Sequence, residues 1–219
     1  WEEARNLFGR KSVFTIIDLH SGERFNVQRR AGSRHADVQP LTVRDTRTMK
    51  RIYGGAWSWR RKAIIVEKDG VRVAASMNGM PHGGDGIPGN GFRGHFCVHF
   101  LGSTTHKSDY PDAEHQFMVY RAAGRLAEYF AGANPMRVAD AFLLALNEKD
   151  ADLLSMLFFE KNRGELDFFE REMQKLLHIR RLPGKSLPKR DSLQETDSLA
   201  ATAVIEVRVA ERDKAERNM

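Results

Sequence analysis

Hydrophobic and polar positions divide this chain into two parts with different periods. From residue 13 onward, short runs rich in β-branched and aromatic residues alternate with turn signals. Val13 to Asp18 and Arg24 to Gln28 predict a hairpin around Ser21-Gly22-Glu23. Ala63 to Glu67 and Val71 to Ser76 predict a second, joined at Lys68-Asp69-Gly70. Between the hairpins, "AGSRHADVQPL" has loop composition. Thr42 followed by Asp45 opens a short helix that Gly54-Gly55 ends. A glycine-rich loop then leads into the strand "HFCVHFL".

Beyond about residue 112 the period becomes helical. "DAEHQFMVYRAAGRLAEYFAG" and "PMRVADAFLLALNEKDADLLSMLF" carry apolar residues at helix spacing, with a break at Asn134-Pro135. "RGELDFFEREMQKLLHIRRL" predicts a third amphipathic helix. The polar connection "PGKSLPKRDSLQETDS" leads into the alternating strand "LAATAVIEVRVAE" and a charged tail. The fold class expected is α+β. A mainly β module over residues 1–132 precedes a helix-rich module over 133–219.

Composition narrows the picture. A chain of 219 residues, 41% hydrophobic and 29% charged, can bury a real core. No run of about 18 apolar residues occurs, so no membrane span is expected. The chain starts at Trp1 with no initiator methionine and no charged-then-apolar leader, and is expected to be a processed piece of a longer protein. A formal charge of +6 favours anionic partners. No nucleic-acid motif accompanies that charge, so nucleic acid is not among the expected partners. The single cysteine excludes an intramolecular disulfide.

That cysteine is where candidate chemistry concentrates. In "GHFCVHF", strand alternation puts Phe96, Val98 and Phe100 on the core side and His95, Cys97 and His99 together on the other. A neighbouring imidazole is what a nucleophilic thiol requires, since a base or cation raises the thiolate fraction. The six glycines between residues 83 and 94 let the backbone approach a substrate and bring His82 back across the strand. The competing reading is a buried cysteine used as a small apolar filler.

"MPHG", followed fifteen residues after His82 by the cysteine of "GHFCVH", resembles the YkuD-type L,D-transpeptidases. Their signature is His-Gly, a spacer, then Ser-His-Gly-Cys, an apolar residue and Arg. The resemblance spans residues 12 to 124, and its specific part lies in 82 to 99. It implies a mainly β catalytic domain with Cys97 as acyl-accepting nucleophile, His82 as general base and His95 as a neighbour orienting thiolate or oxyanion. Gly83, Arg93, Gly94, Phe96, His99, Trp57 and Trp59 would line the substrate site, and no cofactor or metal is implied. The implied reaction is acyl transfer on peptidoglycan stem peptides through a thioester, in an extracytoplasmic setting. Three positions depart from the pattern. Gly94 stands for the serine, Phe96 for the glycine before cysteine, and His99 for the arginine.

Two alternatives remain beside this one. One is a zinc-dependent cell-wall hydrolase using His82, His95, Cys97 and His99, with His106 and His115 as further donors. The other is a non-catalytic wall- or ligand-binding module with a degenerate site. His35 and Asp37 either organise a turn, the favoured reading, or join the site. Trp57 and Trp59, followed by Arg60, Arg61 and Lys62, either line a groove or pack under a loop. The C-terminal segment resembles the opening of an NTF2-like domain, which implies a binding role and a homodimer through that module.

Overall fold

A computed structural model describes residues 1–105, 110–131, 135–158, 162–181 and 205–209. The chain separates into two compact units, Trp1–Ala131 and Gly132–Met219. The first holds helix α1 (Glu2–Leu7), strands β1 (Val13–Asp18), β2 (Arg24–Ala31) and β3 (Ala36–Pro40), and helix α2 (Val43–Ile52). Strands β4 (Lys62–Lys68), β5 (Val71–Met77) and β6 (Phe96–His99) follow, then helices α3 (Ala113–Ala122) and α4 (Leu126–Phe130). The second unit contains α5 (Pro135–Glu148), α6 (Ala151–Ser155), α7 (Arg163–Met173), β7 (Leu176–Arg181) and β8 (Ile205–Val209). The class is α+β. No helix of the described residues is long and apolar enough to cross a membrane.

The six strands of the first unit close into an antiparallel barrel in the order β1-β2-β3-β6-β5-β4. Closure leaves no sheet edge, and the pleat sends alternate side chains inward. Phe14 pairs with Val27, Ile16 with Phe25 and with Val66, Val38 with Phe96, and Val98 with both Ala36 and Met77. All of these are buried and form one apolar cluster. Phe96 sits 6.3 Å from Phe25 and 5.8 Å from Phe92, ring centre to ring centre. Truncating such a ring to alanine costs about 3–5 kcal/mol.

The ends of the barrel are held by specific polar contacts. Thr42 caps α2: its Oγ1 accepts from the Asp45 backbone at 3.1 Å, and Asp45 Oδ2 accepts from the Thr42 backbone at 3.1 Å. Asp45 Oδ1 also accepts from Asn26 N–H at 2.8 Å, which ties the helix to β2. Buried Arg29 donates to the carbonyls of Phe8, Ala31 and Gly32 at 2.7, 3.1 and 2.6 Å, fixing α1 against β2. Helix α3 packs over the outer faces of β4 and β5.

Three segments differ from the sequence expectation. "AGSRHADVQPL" contains β3, whose five residues are all buried, so no exposed-and-buried alternation betrays it. The helix expected to continue to residue 182 ends at Met173, and Leu176–Arg181 pair with β8 as a two-stranded sheet. The helical stretch after residue 112 is broken at Gly124, whose φ of +68° separates α3 from α4. The linker expected over residues 183–198, the final tail and His106 lie outside the described residues.

Candidate active site around Cys97

The outer face of the barrel wall at β3 and β6 carries polar groups where most outer faces meet solvent. Asp37 on β3 stands directly opposite Cys97 on β6. Gln39, two residues along, shares that face. Its side-chain amide donates to Asp85 Oδ1 at 2.6 Å and to the Phe92 carbonyl at 3.0 Å, and its oxygen accepts from Gly86 N–H at 3.1 Å. Asn90 donates to the Pro40 carbonyl at 2.7 Å and accepts from Phe92 N–H at 2.8 Å. Gln39 and Asn90 thus fold the glycine-rich segment back over β3.

The folded-back segment brings His82 to the sulfur. His82 and His95 exchange backbone hydrogen bonds of 2.9 and 2.8 Å. This pairing needs glycine on both sides. A Cβ at Gly94, where φ is +103°, would lie 2.5 Å from the His82 carbonyl oxygen. One at Gly83, where φ is +66°, would lie 2.2 Å from His95 Cε1. His82 Nε2 then stands 3.3 Å from Cys97 Sγ. Its other ring nitrogen, Nδ1, is 2.8 Å from the Met80 carbonyl, which can only accept. The ring proton therefore sits on Nδ1, and Nε2 offers its lone pair to the thiol.

Cys97 itself is only 4% exposed. Burial, and then the Asp37 charge, push its thiol up to about 12, against a smaller lowering by a hydrogen bond from Asn78. The sequence reading expects this face to hold a thiolate. The structure instead places a thiol beside a hydrogen-bond acceptor. The first cause is burial of the sulfur, and the second is a carboxylate on the neighbouring strand; the alternation of β6 reveals neither. His95 lies 3.8 Å from Asp37 Oδ1, and burial lowers its pKa more than the carboxylate raises it.

Beneath the sulfur runs a buried stack of three imidazoles. His35 stacks on His99 with centroids 4.5 Å apart, and His99 on His115 at 3.8 Å. His35 places Nε2 at 3.0 Å from Asp37 Oδ1 and Nδ1 at 2.8 Å from the Thr104 carbonyl. His99 Nδ1 is 3.1 Å from Ser103 Oγ, and His115 Nδ1 is 2.8 Å from Ser76 Oγ. Burial drives the pKa values of His99 and His115 far down, so both rings are neutral.

The remaining expected site residues fall in different places. Trp59, 51% exposed, has its ring centre 5.1 Å from that of His82 and borders the site. Trp57 packs edge-on against Phe92 at 5.1 Å, beneath the loop. Phe96 points into the barrel, so its side chain does not occupy the space above the sulfur. Arg93 is exposed, and its charge helps hold the Asp85 carboxyl low, after the larger effect of the Gln39 hydrogen bond. Gly83 is exposed beside His95, and His99 is enclosed in the imidazole stack. Sequence reasoning did not single out Gln39 or Asn78. The only signal for Gln39 was a polar side chain between Val38 and Pro40, and Asn78, before Gly79, had the look of a turn residue.

Among the described residues, one group of three has metal-ligand geometry. One donor atom each from His35, Cys97 and His99 lie within 4.8 Å of one another. His82 is not part of that group. No protein-family model matches the chain, and no curated protein or solved structure compared with it gives a significant match.

Proposed function

We propose that this protein is a cysteine acyltransferase of the L,D-transpeptidase type, acting on peptidoglycan stem peptides through a thioester at Cys97. The observation that carries the reading is the 3.3 Å separation of Cys97 Sγ from a His82 Nε2 whose tautomer is fixed by Met80. A nucleophile within reach of a base that is itself oriented by a third group is the arrangement acyl transfer needs.

Because the resting sulfur is a thiol, deprotonation and attack belong to one step. Sγ attacks the carbonyl carbon of a stem-peptide amide while its proton passes to His82 Nε2, and the carbonyl π pair moves to oxygen. Collapse of that adduct breaks the C–N bond, and the departing amine takes the proton from Nε2. The thioester remains. An amine from a second stem, or water, then attacks the thioester carbon and yields a proton to Nε2. Collapse now expels sulfur, which recovers that proton. His82 serves as base and acid in turn.

The apolar ring of Phe96 is turned into the barrel core and does not stand over the sulfur. The basic charge of the chain suits carboxylate-rich wall polymers. Intact-mass measurement after incubation with a tetrapeptide stem, or with a carbapenem as acyl donor, tests the reading. Acylation of the wild-type chain and its absence in Cys97→Ala are expected. No adduct on the wild type with either donor, or an adduct that persists in Cys97→Ala, would overturn it.

A further inference from the structure

We propose that the cleft between the β1–β2 turn and helix α2 binds an anion carrying two or three successive phosphoryl groups. The site goes beyond the acyltransfer reading and does not rest on it.

The cleft has a volume of about 360 Å³ and is lined by Glu23, Arg24, Arg44, Arg47, Thr48 and Arg51. Four guanidinium groups thus meet one carboxylate. Arg44, Arg47 and Arg51 stand at i, i+3 and i+7 of α2, so they share one helix face, and β2 supplies Arg24. Seven residues of helix rise by about 10 Å, which sets the length of the cationic row. Two of the four side chains are held in place. Arg51 donates from Nε to Glu23 Oε1 and from Nη2 to Thr48 Oγ1, both at 3.1 Å, and Arg24 pairs with Glu67. A guanidinium carries five N–H donors, so these contacts orient Arg24 and Arg51 without using them up. Arg44 and Arg47 are exposed and have no ion pair among the described residues.

Helix stability does not account for this arrangement. Arg44 lies in the first turn of α2, where the helix dipole disfavours a cation. Arg47 and Arg51 are like charges at i, i+4, which repel. Arg61 shows the contrast, matched by Asp112 at 3.0 Å and Glu114 at 3.2 Å. An anion placed in the cleft would remove the repulsion. Guanidinium forks take phosphate oxygens in pairs, and a row about 10 Å long is more than one phosphate ion can span. The cleft is also remote from the sulfur. Arg24 opens β2, while Ala31, its last residue, pairs with Asp37, the residue that faces Cys97. Seven residues, about 23 Å of extended chain, separate the two ends.

The test titrates the full chain with inorganic tripolyphosphate by calorimetry at low salt. One tripolyphosphate per chain is expected, with affinity falling as NaCl is added. The double variant Arg44→Gln/Arg47→Gln should bind more weakly by about tenfold or more, and monophosphate and citrate should be weaker on the wild type by a similar factor. Lys50→Gln, on the same helix but with its cation over the Trp57 ring, should bind as the wild type does. Without ligand the double variant should unfold at the same temperature as the wild type or higher, since it loses only repulsion. In the wild type, tripolyphosphate should protect Arg44 and Arg47 from phenylglyoxal and leave exposed Arg10 reactive. Long-chain polyphosphate then distinguishes the source of the phosphates. Tighter binding than tripolyphosphate identifies a polymer and equal binding a small phosphate ester, and either supports the site. Undiminished binding in the double variant, equal binding of citrate, a lowered unfolding temperature, or no protection of Arg44 and Arg47 would overturn the proposal.

Discussion

Asp37 faces Cys97 directly across the β3–β6 pair, so a carboxylate and the thiol share one wall of the barrel. This places a negative charge where a second one is to develop as sulfur gives up its proton. Burial is the larger cause of the raised thiol pKa and Asp37 the next. In Asp37→Asn the alkylation rate of Cys97 should therefore rise to its plateau at lower pH than in the wild type. An unchanged profile, or one displaced to higher pH, would contradict the electrostatic assignment.

The same thiol makes stability depend on alkaline pH. In the unfolded chain a cysteine titrates near its ordinary value of about 8.5, whereas the folded one holds its proton up to about 12. Between these values the folded state binds more protons than the unfolded state. Stability should fall as pH rises through that window, by up to about 1.4 kcal/mol per pH unit from this group. Denaturant unfolding of wild type and Cys97→Ala should differ in slope by that share, and equal slopes would count against a buried thiol.

On the acid side the imidazole stack dominates. His99 and His115 stay neutral in the fold, while in the unfolded chain they take up protons below about 6.5. The unfolded state then binds more protons, so stability is lost as pH falls below that value, by up to about 1.4 kcal/mol per pH unit for each ring. His99→Gln should remove one share of the slope measured between pH 6.5 and 5. A slope as steep as the wild type's would show that His99 is charged or absent from the stack.

Gly83 tests how the loop delivers His82. Alanine at a φ of +66° costs about 1–2 kcal/mol in backbone strain alone, and its Cβ would displace the His95 ring. Gly83→Ala should lower the unfolding midpoint and slow Cys97 acylation together. Gly84→Ala, where a Cβ meets open space, should do neither. Equal effects at the two positions would mean that the contact with His95 is unimportant.

How much of this was legible in the sequence depends on the segment. The hairpins β1–β2 and β4–β5 have alternating pattern and glycine turns, and the Thr42–Asp45 box marks the start of α2. Strand β3 was hidden because both of its faces are buried. Ala36 and Val38 fill the barrel while Asp37 and Gln39 serve the site, and the mixture reads as loop composition. At "LLHIRR" the apolar spacing fits helix and strand alike, and pairing with β8 decides in favour of strand. In the site, the placement of Phe96, Val98 and Phe100 in the core follows from alternation alone. The contributions of Asp37, Asn78 and Gln39 come from cross-strand register and loop folding, which no local pattern encodes.

The central claim is that His82 Nε2 takes the Cys97 proton as sulfur attacks. Its most direct measurement is the acylation rate of wild type and His82→Gln by the same donor near neutral pH, followed by intact mass. General-base catalysis predicts a loss of about 10²- to 10⁴-fold in His82→Gln, with Cys97 still the only residue acylated. Equal rates in the two proteins would contradict the account.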